Sequence, residues 1–286
     1  VVRIRDVQAV LQDAYPARLA EDWDTGIGLT CGDPDAEVGT VLLAVDVDRD
    51  TVREAMDVGA QLLLTHHPLL FRPVQSVAAD TGKGALLHPM VRAGIAHLAA
   101  HTNADSARGG VNDALAGLLQ LSGTRPLVPR ADDPLVGSGR IGALPAVTTL
   151  RSFTDRVAHV LPATVTGVRA AGNPDRAVST VAVCGGAGDS LLDAAAGAGV
   201  DVYLTSDLRH HVVAEFVSDP SRPALVEVAH WAGEWPWLAA AAAVLRSELP
   251  EVRTVVSTVR TDPWTLHAAS PAQPDAPGGG APPPGG

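Results

Sequence analysis

Two stretches of this chain, 140 residues apart, share one pattern. Thr40-Val41 matches Thr180-Val181, Ala55 matches Ala195, Gly59 matches Gly199, and Leu64-Thr65 matches Leu204-Thr205, without a gap. Where identity is lost the apolar character persists, as in Leu62-Leu63 against Val202-Tyr203. Each stretch reads as an apolar strand, a helix closed by glycine as its C′ residue, and a second strand. The pattern predicts an α/β protein of two similar, interlinked α/β domains arising from an internal duplication, with a cleft between them. The expected division is residues 1–104 plus 225–268 for the first domain and 105–224 for the second. Aromatic residues are only 3% of the 286, so the cores must be built from Ala, Val and Leu.

The flanking periodicity fills in the units. Residues 3–20 read as a helix with Ile4, Val7, Val10, Leu11 and Ala14 on one stripe. Further helices are expected over 51–58, 85–93, 110–121, 150–160, 208–217 and 235–249, the last with Pro236 in its first turn, where a missing N–H costs nothing. Strands are expected over 40–45, 61–65, 95–100, 163–171, 180–184, 224–229 and 252–259. Residues 22–39 read as loop with a short strand, and 122–145, rich in Gly and Pro, as loop and short strand. From Ala269 the chain is Pro, Gly and Ala with almost no charge, so 269–286 is expected to be a disordered tail.

Charge narrows the function classes. There are 32 acidic and 21 basic residues, a formal net charge of −11, and no basic cluster, so no nucleic-acid partner is expected. The longest apolar run, 238–245, is too short to span a bilayer, so no membrane partner is expected either. The opening residues 1–6 lack the apolar core of a signal peptide, and Cys31 and Cys184 form no CxxC pair; both point to a cytoplasmic, reducing location. Neither a Walker loop nor a GxGxxG dinucleotide fingerprint is present. Gly185-Gly186-Ala187-Gly188 follows a strand and reads as a permissive turn.

Three short segments carry the chemistry. Leu62-Leu63-Leu64-Thr65-His66-His67-Pro68 delivers two adjacent imidazoles from a strand that proline then bends. His101 and Asp105 stand four apart after the strand at 95–100, where Ser106 and Gly109-Gly110 favour a tight loop over a helical turn. His230 and Glu234 have the same spacing after the strand at 224–229. In α/β sheets, ligands bind beyond the carboxyl ends of strands. Four imidazoles and two carboxylates are more than one ion needs and suit two divalent ions, zinc, iron or manganese, in the cleft. Asp207, His210 and His211 follow the second copy's strand end and are candidates to reach that cleft, as is Asp46 at the end of the first strand. His97 reads as a core group, His88 as a helix-start residue, and His159 and His267 as surface. Trp231, Trp235 and Trp237 read as packing for a helix start, with Trp231 a candidate pocket wall.

With these motifs the chain resembles the family of GTP cyclohydrolase 1 type 2 homologues. The resemblance runs to about residue 265. It is carried by Glu21-Asp22-Trp23-Asp24 with Gly28-Leu29, Thr65-His66-His67-Pro68-Leu69 with Phe71, and His101-Thr102-Asn103-Ala104-Asp105. Gly109-Gly110-Val111-Asn112-Asp113 and His230-Trp231-Ala232-Gly233-Glu234 complete it. The family's metal ligands map onto His66, His67, His101, Asp105, His230 and Glu234. The resemblance also implies a toroidal homohexamer with metal sites facing an internal cavity. Thr25 stands where relatives tend to have Asn, and Ser206 where many have Gly.

The function expected is that of a metal-dependent hydrolase acting on a nucleotide or related heterocycle through a metal-bridging hydroxide. Glu234 and Asp105 are the candidates to bridge the ions or orient the nucleophile, and His211 or Asp207 to transfer protons. A non-catalytic hexameric metal-handling or scaffold protein and a dinuclear phosphoesterase are the alternatives. Fold does not transmit a substrate.

Overall fold

Leu42, Ala44 and Leu63 face one side of a sheet, and Val41, Leu43, Leu62 and Leu64 the other; both sets are buried, in separate clusters. Strands buried on both faces need helices on both faces. The computed structural model describes residues 1–268 and supplies those layers; the expected tail at 269–286 lies outside the described residues.

The chain begins with α1 (Ile4–Ala14) and β1 (Gly28–Cys31), then β2 (Thr40–Ala44), α2 (Arg49–Asp57), β3 (Leu62–Thr65), α3 (Gly82–Arg92) and β4 (Ala96–Ala99). Next come α4 (Thr102–Ser106), α5 (Val111–Leu118), β5 (Ser122–Pro129), β6 (Gly137–Thr149), α6 (Leu150–Val160), β7 (Arg169–Ala171) and β8 (Ala177–Ala187). The chain continues through α7 (Leu192–Gly197), β9 (Val202–Ser206), α8 (His210–Val217), β10 (Ala224–Glu227), α9 (His230–Glu234), α10 (Pro236–Glu248) and β11 (Arg253–Val256). The strands form two mixed sheets. One is five-stranded in the order β1-β4-β3-β2-β11, parallel except at β1. The other is six-stranded in the order β5-β6-β8-β9-β10-β7, parallel only across β8-β9-β10. α10 joins the sheets by burying Trp237, Leu238, Ala241, Ala242 and Leu245 with α1 residues and with Val111 of α5.

The paired stretches correspond in hydrogen bonding as well as in sequence. Gln61 Oε1 accepts the N–H groups of Gly39 and Thr40 at 2.9 and 3.0 Å. At the same offset Asp201 Oδ2 accepts those of Ser179 and Thr180, both at 2.8 Å. Gly59 and Gly199 end their helices with φ +66°, a conformation that excludes most side chains.

Two expectations need correction. Residues 122–145 hold β5 and most of β6, two long strands paired as an antiparallel hairpin. Pro126 and Pro129 are tolerated because β5 is an edge strand, and glycines at 137 and 139 take positive φ on β6. The strand expected over 163–171 shrinks to β7. β10, which spans residue 225, pairs with β9 and β7 in the second sheet.

Behind β3, His97 is fully buried between two threonines. Thr65 Oγ1 donates to the His67 carbonyl at 2.6 Å and therefore accepts from His97 Nε2 at 2.8 Å, while His97 Nδ1 meets Thr30 Oγ1. Burial, with a smaller push from Lys83, lowers this imidazole to about 3. Between that value and the ordinary 6.5, the unfolded chain binds a proton that the folded chain refuses. The His97 contribution is therefore complete above pH 6.5 and is lost as the pH falls. Urea unfolding at several pH values from 4 to 7 is expected to show stability climbing with pH, less steeply in His97→Gln. Identical slopes in the two proteins would refute this role.

Candidate metal centre

Each of the four imidazoles named above has Nδ1 engaged by an acceptor. His66 Nδ1 faces the Ala100 carbonyl at 2.9 Å; a carbonyl only accepts, so the proton sits on Nδ1 and Nε2 carries a lone pair. His67 Nδ1 meets Asp46 Oδ1 at 2.7 Å, His101 Nδ1 meets Asp24 Oδ2 at 2.9 Å, and His230 Nδ1 meets Asp207 Oδ2 at 2.6 Å. Carboxylates behind the ring fix tautomer and orientation in the same way, which is how proteins prepare histidine for a metal.

The free edges converge. His66 and His67 come from the end of β3, His101 and Asp105 from the end of β4 and from α4, and His230 and Glu234 from α9 after β10. Ring centroids lie 5.0 Å apart for His66 and His67, 5.5 Å for His67 and His101, and 5.1 Å for His67 and His230. Glu234, 3% exposed, is the hub, with Oε1 2.9 Å from His230 Nε2 and 3.4 Å from His66 Nε2, and Oε2 3.2 Å from His67 Nε2. Asp105 Oδ1 lies 3.6 Å from His66 Nε2. Two groups could each hold a metal ion: His66, His67 and His101 in one, and His67, His230 and Glu234 in the other.

The spacing of the two His/carboxylate pairs has a helical cause in both. Asp105 is on the one-turn helix α4, contrary to the tight loop favoured from sequence. Asp24 Oδ2 accepts Thr102 N–H and Oγ1–H at 3.1 and 2.6 Å, which satisfies the start of that turn. Asn112 brackets its far side: Nδ2 donates to the Asp105 carbonyl at 3.0 Å and Oδ1 accepts Gly185 N–H at 2.9 Å. Arg140, 2% exposed, donates to the Ala107 carbonyl at 2.8 Å, to those of Gly137 and Gly139 at 2.8 Å each, and to Asp113 at 2.6 Å.

Buried polar atoms in this cluster lack partners: His66 Nε2, Asp105 Oδ1 and Glu234 Oε2 accept no hydrogen bond. Leaving several such atoms bare is costly unless something else satisfies them. Burial pulls His67 and His230 down, but Glu234 with Asp46 and Glu234 with Asp207 outweigh it and hold both rings protonated. Burial pushes Glu234 up, but the charges of His67, His230 and His66 outweigh it and hold the carboxyl well below the usual carboxylate range. Burial and the neighbouring Glu234 push Asp105 up to about 7. Protons thus occupy places that cations could take. The donor set of imidazole Nε2 and carboxylate oxygen fits divalent zinc, iron or manganese.

Sequence reading missed two contributors. Asp24 stands in the Glu21-Asp22-Trp23-Asp24 motif with no role evident from sequence, and Gly186 reads as part of a turn. Gly186 lies on β8 with φ +72°, and a Cβ there would stand 2.5 Å from Glu234 Oε1 and 3.1 Å from His230 Nε2. Asp46 and Asp207, weaker candidates from sequence, stand directly behind His67 and His230. His210 and His211 are exposed on α8 and pack against each other, and neither is among the residues lining the cavity. His88 and His159 bond the carbonyls of Val77 and Asp155. Trp231 and the exposed His267 line the cavity. Trp235 donates to the Ser257 carbonyl at 2.9 Å, and Trp237 packs edge-on against His66 with centroids 5.5 Å apart. The cavity into which the cluster opens holds about 1440 Å³. No helix among the described residues is long and apolar enough to cross a membrane.

Comparison with known proteins agrees across the chain. The family profile of Duf34/NIF3 (NGG1p interacting factor 3) matches residues 2–263. A Streptomyces coelicolor protein named GTP cyclohydrolase 1 type 2 homolog is 49% identical over 276 residues, covering 94% of this chain and 95% of its own length. A Mycobacterium tuberculosis protein of the same name is 38% identical over 372 aligned positions, covering 93% and 97%. Among solved structures, a Bacillus cereus protein related to NIF3 has the same fold, with a TM-score of 0.86 at 24% identity, covering 93% of this chain and 100% of that one. A Staphylococcus aureus hypothetical protein follows with 0.85 at 25% identity, covering 93% and 99%.

Proposed function

Since this chain belongs to the Duf34/NIF3 family, we propose that it is a metal-dependent hydrolase whose His66, His67, His101, Asp105, His230 and Glu234 hold two divalent ions and which acts on a nucleotide or related heterocycle. The observation that carries this reading is the convergence of buried ligand atoms: His66 Nε2, Asp105 Oδ1 and Glu234 Oε2 have no hydrogen-bond partner in the protein. Bound ions of this type acidify a water to a nucleophile near neutral pH and polarise the bond it attacks.

The chain's own groups prepare that chemistry. Asp24, Asp46 and Asp207 engage Nδ1 of His101, His67 and His230, so each Nε2 is the nitrogen on which a cation would replace a proton. Glu234 touches three imidazoles and would contribute to holding both ions. Asp105 is held on a turn fixed at both ends and serves the His66 side. Asp207 remains the candidate for proton movement at the cavity side of His230.

The decisive assay offers metal-loaded protein GTP, other nucleotides and free heterocycles. Turnover is expected, and its absence beyond a His101→Ala control would overturn the catalytic reading in favour of a metal-handling ring. Phosphate release without ring opening would make the protein a dinuclear phosphoesterase. Gly186→Ala is expected to lose bound metal, because the new methyl intrudes on Glu234 Oε1 and His230 Nε2. Elemental analysis checks this; full metal content in Gly186→Ala would refute the assignment of Glu234 and His230 as ligands. The matched hydrogen bonds of Gln61 and Asp201 support an internal duplication as the source of the two sheets. The assembly proposed is a homohexamer, testable by light scattering on the purified chain.

A further inference from the structure

Trp23 is 60% exposed and Phe71 45%, although both are large aromatics. They meet edge to face with centroids 5.9 Å apart, and both contact the His101 ring, at 6.0 and 5.7 Å. Both line the cavity. Exposed aromatic faces beside a metal-ligand ring make a stacking platform, because a planar ring of almost any identity can cover them.

A second observation supplies the polar part of the recognition. Asp262 also lines the cavity, is only 7% exposed, and its Oδ2 has no hydrogen-bond partner. Its neighbour Thr261 is tied by its hydroxyl to Asp46, so the carboxylate is held on the wall. A buried acceptor of this kind calls for a donor from the ligand.

Charge limits what else the ligand can carry. The wall includes Glu21, Asp46, Asp207, Glu227 and Asp262 against Arg169, and that arginine is spent on Glu227 at 2.7 Å. Two divalent ions would bring four positive charges, and Asp24, Asp46, Asp105, Asp207 and Glu234 set five negative ones around them. Among the described wall residues a polyphosphate meets no lysine and no arginine besides Arg169.

Resting on the reading that the centre acts on a heterocycle, we propose that the cavity selects a planar, N–H-bearing heteroaromatic ring in uncharged or cationic form, stacked on Trp23 and Phe71 and bonded to Asp262, and discriminates against the same ring carrying a triphosphate. Calorimetry on the metal-loaded full chain would compare guanosine, guanosine triphosphate and inorganic tripolyphosphate, with metal content measured after each titration. Guanosine is expected to bind at least about tenfold more tightly than its triphosphate at low salt, with the gap narrowing as salt screens the wall. Tripolyphosphate should not bind. Trp23→Leu and Phe71→Leu should each weaken guanosine about fivefold or more. Asp262→Leu should weaken it likewise, with circular dichroism and metal content unchanged in all three variants. The proposal is overturned if the triphosphate binds as tightly as guanosine, if guanosine does not bind, or if the aromatic substitutions leave its affinity unaltered. Guanosine binding without turnover of any heterocycle would defeat the hydrolase reading and leave ring selection standing; turnover without the ring preference would do the reverse.

Discussion

Glu234→Gln is expected to purify almost free of metal. The substitution keeps shape and volume at a position 3% exposed and removes the one charge that faces His66, His67 and His230 together. Losing a partner that merely orients a ligand costs a metal site about 10–100-fold in affinity. Losing a shared ligand should cost at least the upper end of that range at both positions. The loss will also appear in thermal unfolding. A ligand at a thousand times its Kd adds about 4 kcal/mol to the folded state. Chelation should therefore lower the Tm of the wild type and leave Glu234→Gln unchanged. Full metal content in the variant, by elemental analysis, would remove Glu234 from the ligand set.

Arg140→Met should destabilise the protein by about 3–5 kcal/mol, the cost of removing one member of a buried ion pair. Methionine fills the space of the stem but strands the Asp113 carboxylate and the carbonyls of Ala107, Gly137 and Gly139. Asp113 keeps some contact with water, at 26% side-chain exposure, which places the effect toward the lower end. The Ala107 carbonyl lies just past α4, so the turn that carries Asp105 should loosen and metal affinity fall in parallel. Urea denaturation measures the first effect and metal titration the second. A change below about 1 kcal/mol would mean that Arg140 is replaceable by packing alone.

The parts of this fold legible in the sequence are those with local causes. α2, α6 and α10 follow from apolar periodicity and their capping or proline signals, and β2, β3 and β9 from short apolar runs between turn residues. The six candidate ligands stand out for a related reason, since the histidines come just after apolar strands and the two carboxylates four residues on. The β5-β6 hairpin is not, because edge position and positive-φ glycines let a proline- and glycine-rich stretch pair; both depend on the neighbouring strands. The role of Asp24 is hidden by its distance from His101 along the chain. Gly186 is hidden because its function is to leave room beside Glu234, which no local pattern reveals. Asp262 likewise gains significance only from what surrounds it.

The position of β11 has a consequence for how the molecule is made. The second sheet draws all its strands from one continuous stretch, Ser122 to Glu227, and can close soon after that stretch leaves the ribosome. The first sheet cannot: β2 waits on one side for Arg253–Val256, which pair with residues 40 to 43. Until nearly the whole described chain has been synthesised, an apolar strand stands with one flank open to any other chain that can pair with it. The hydroxyl of Thr261, which steadies Asp46 behind His67, arrives later still. Nascent protein therefore acquires its finished centre last, and a product cut short after α10 would keep every proposed ligand yet lack both the strand and the strap that hold them in place.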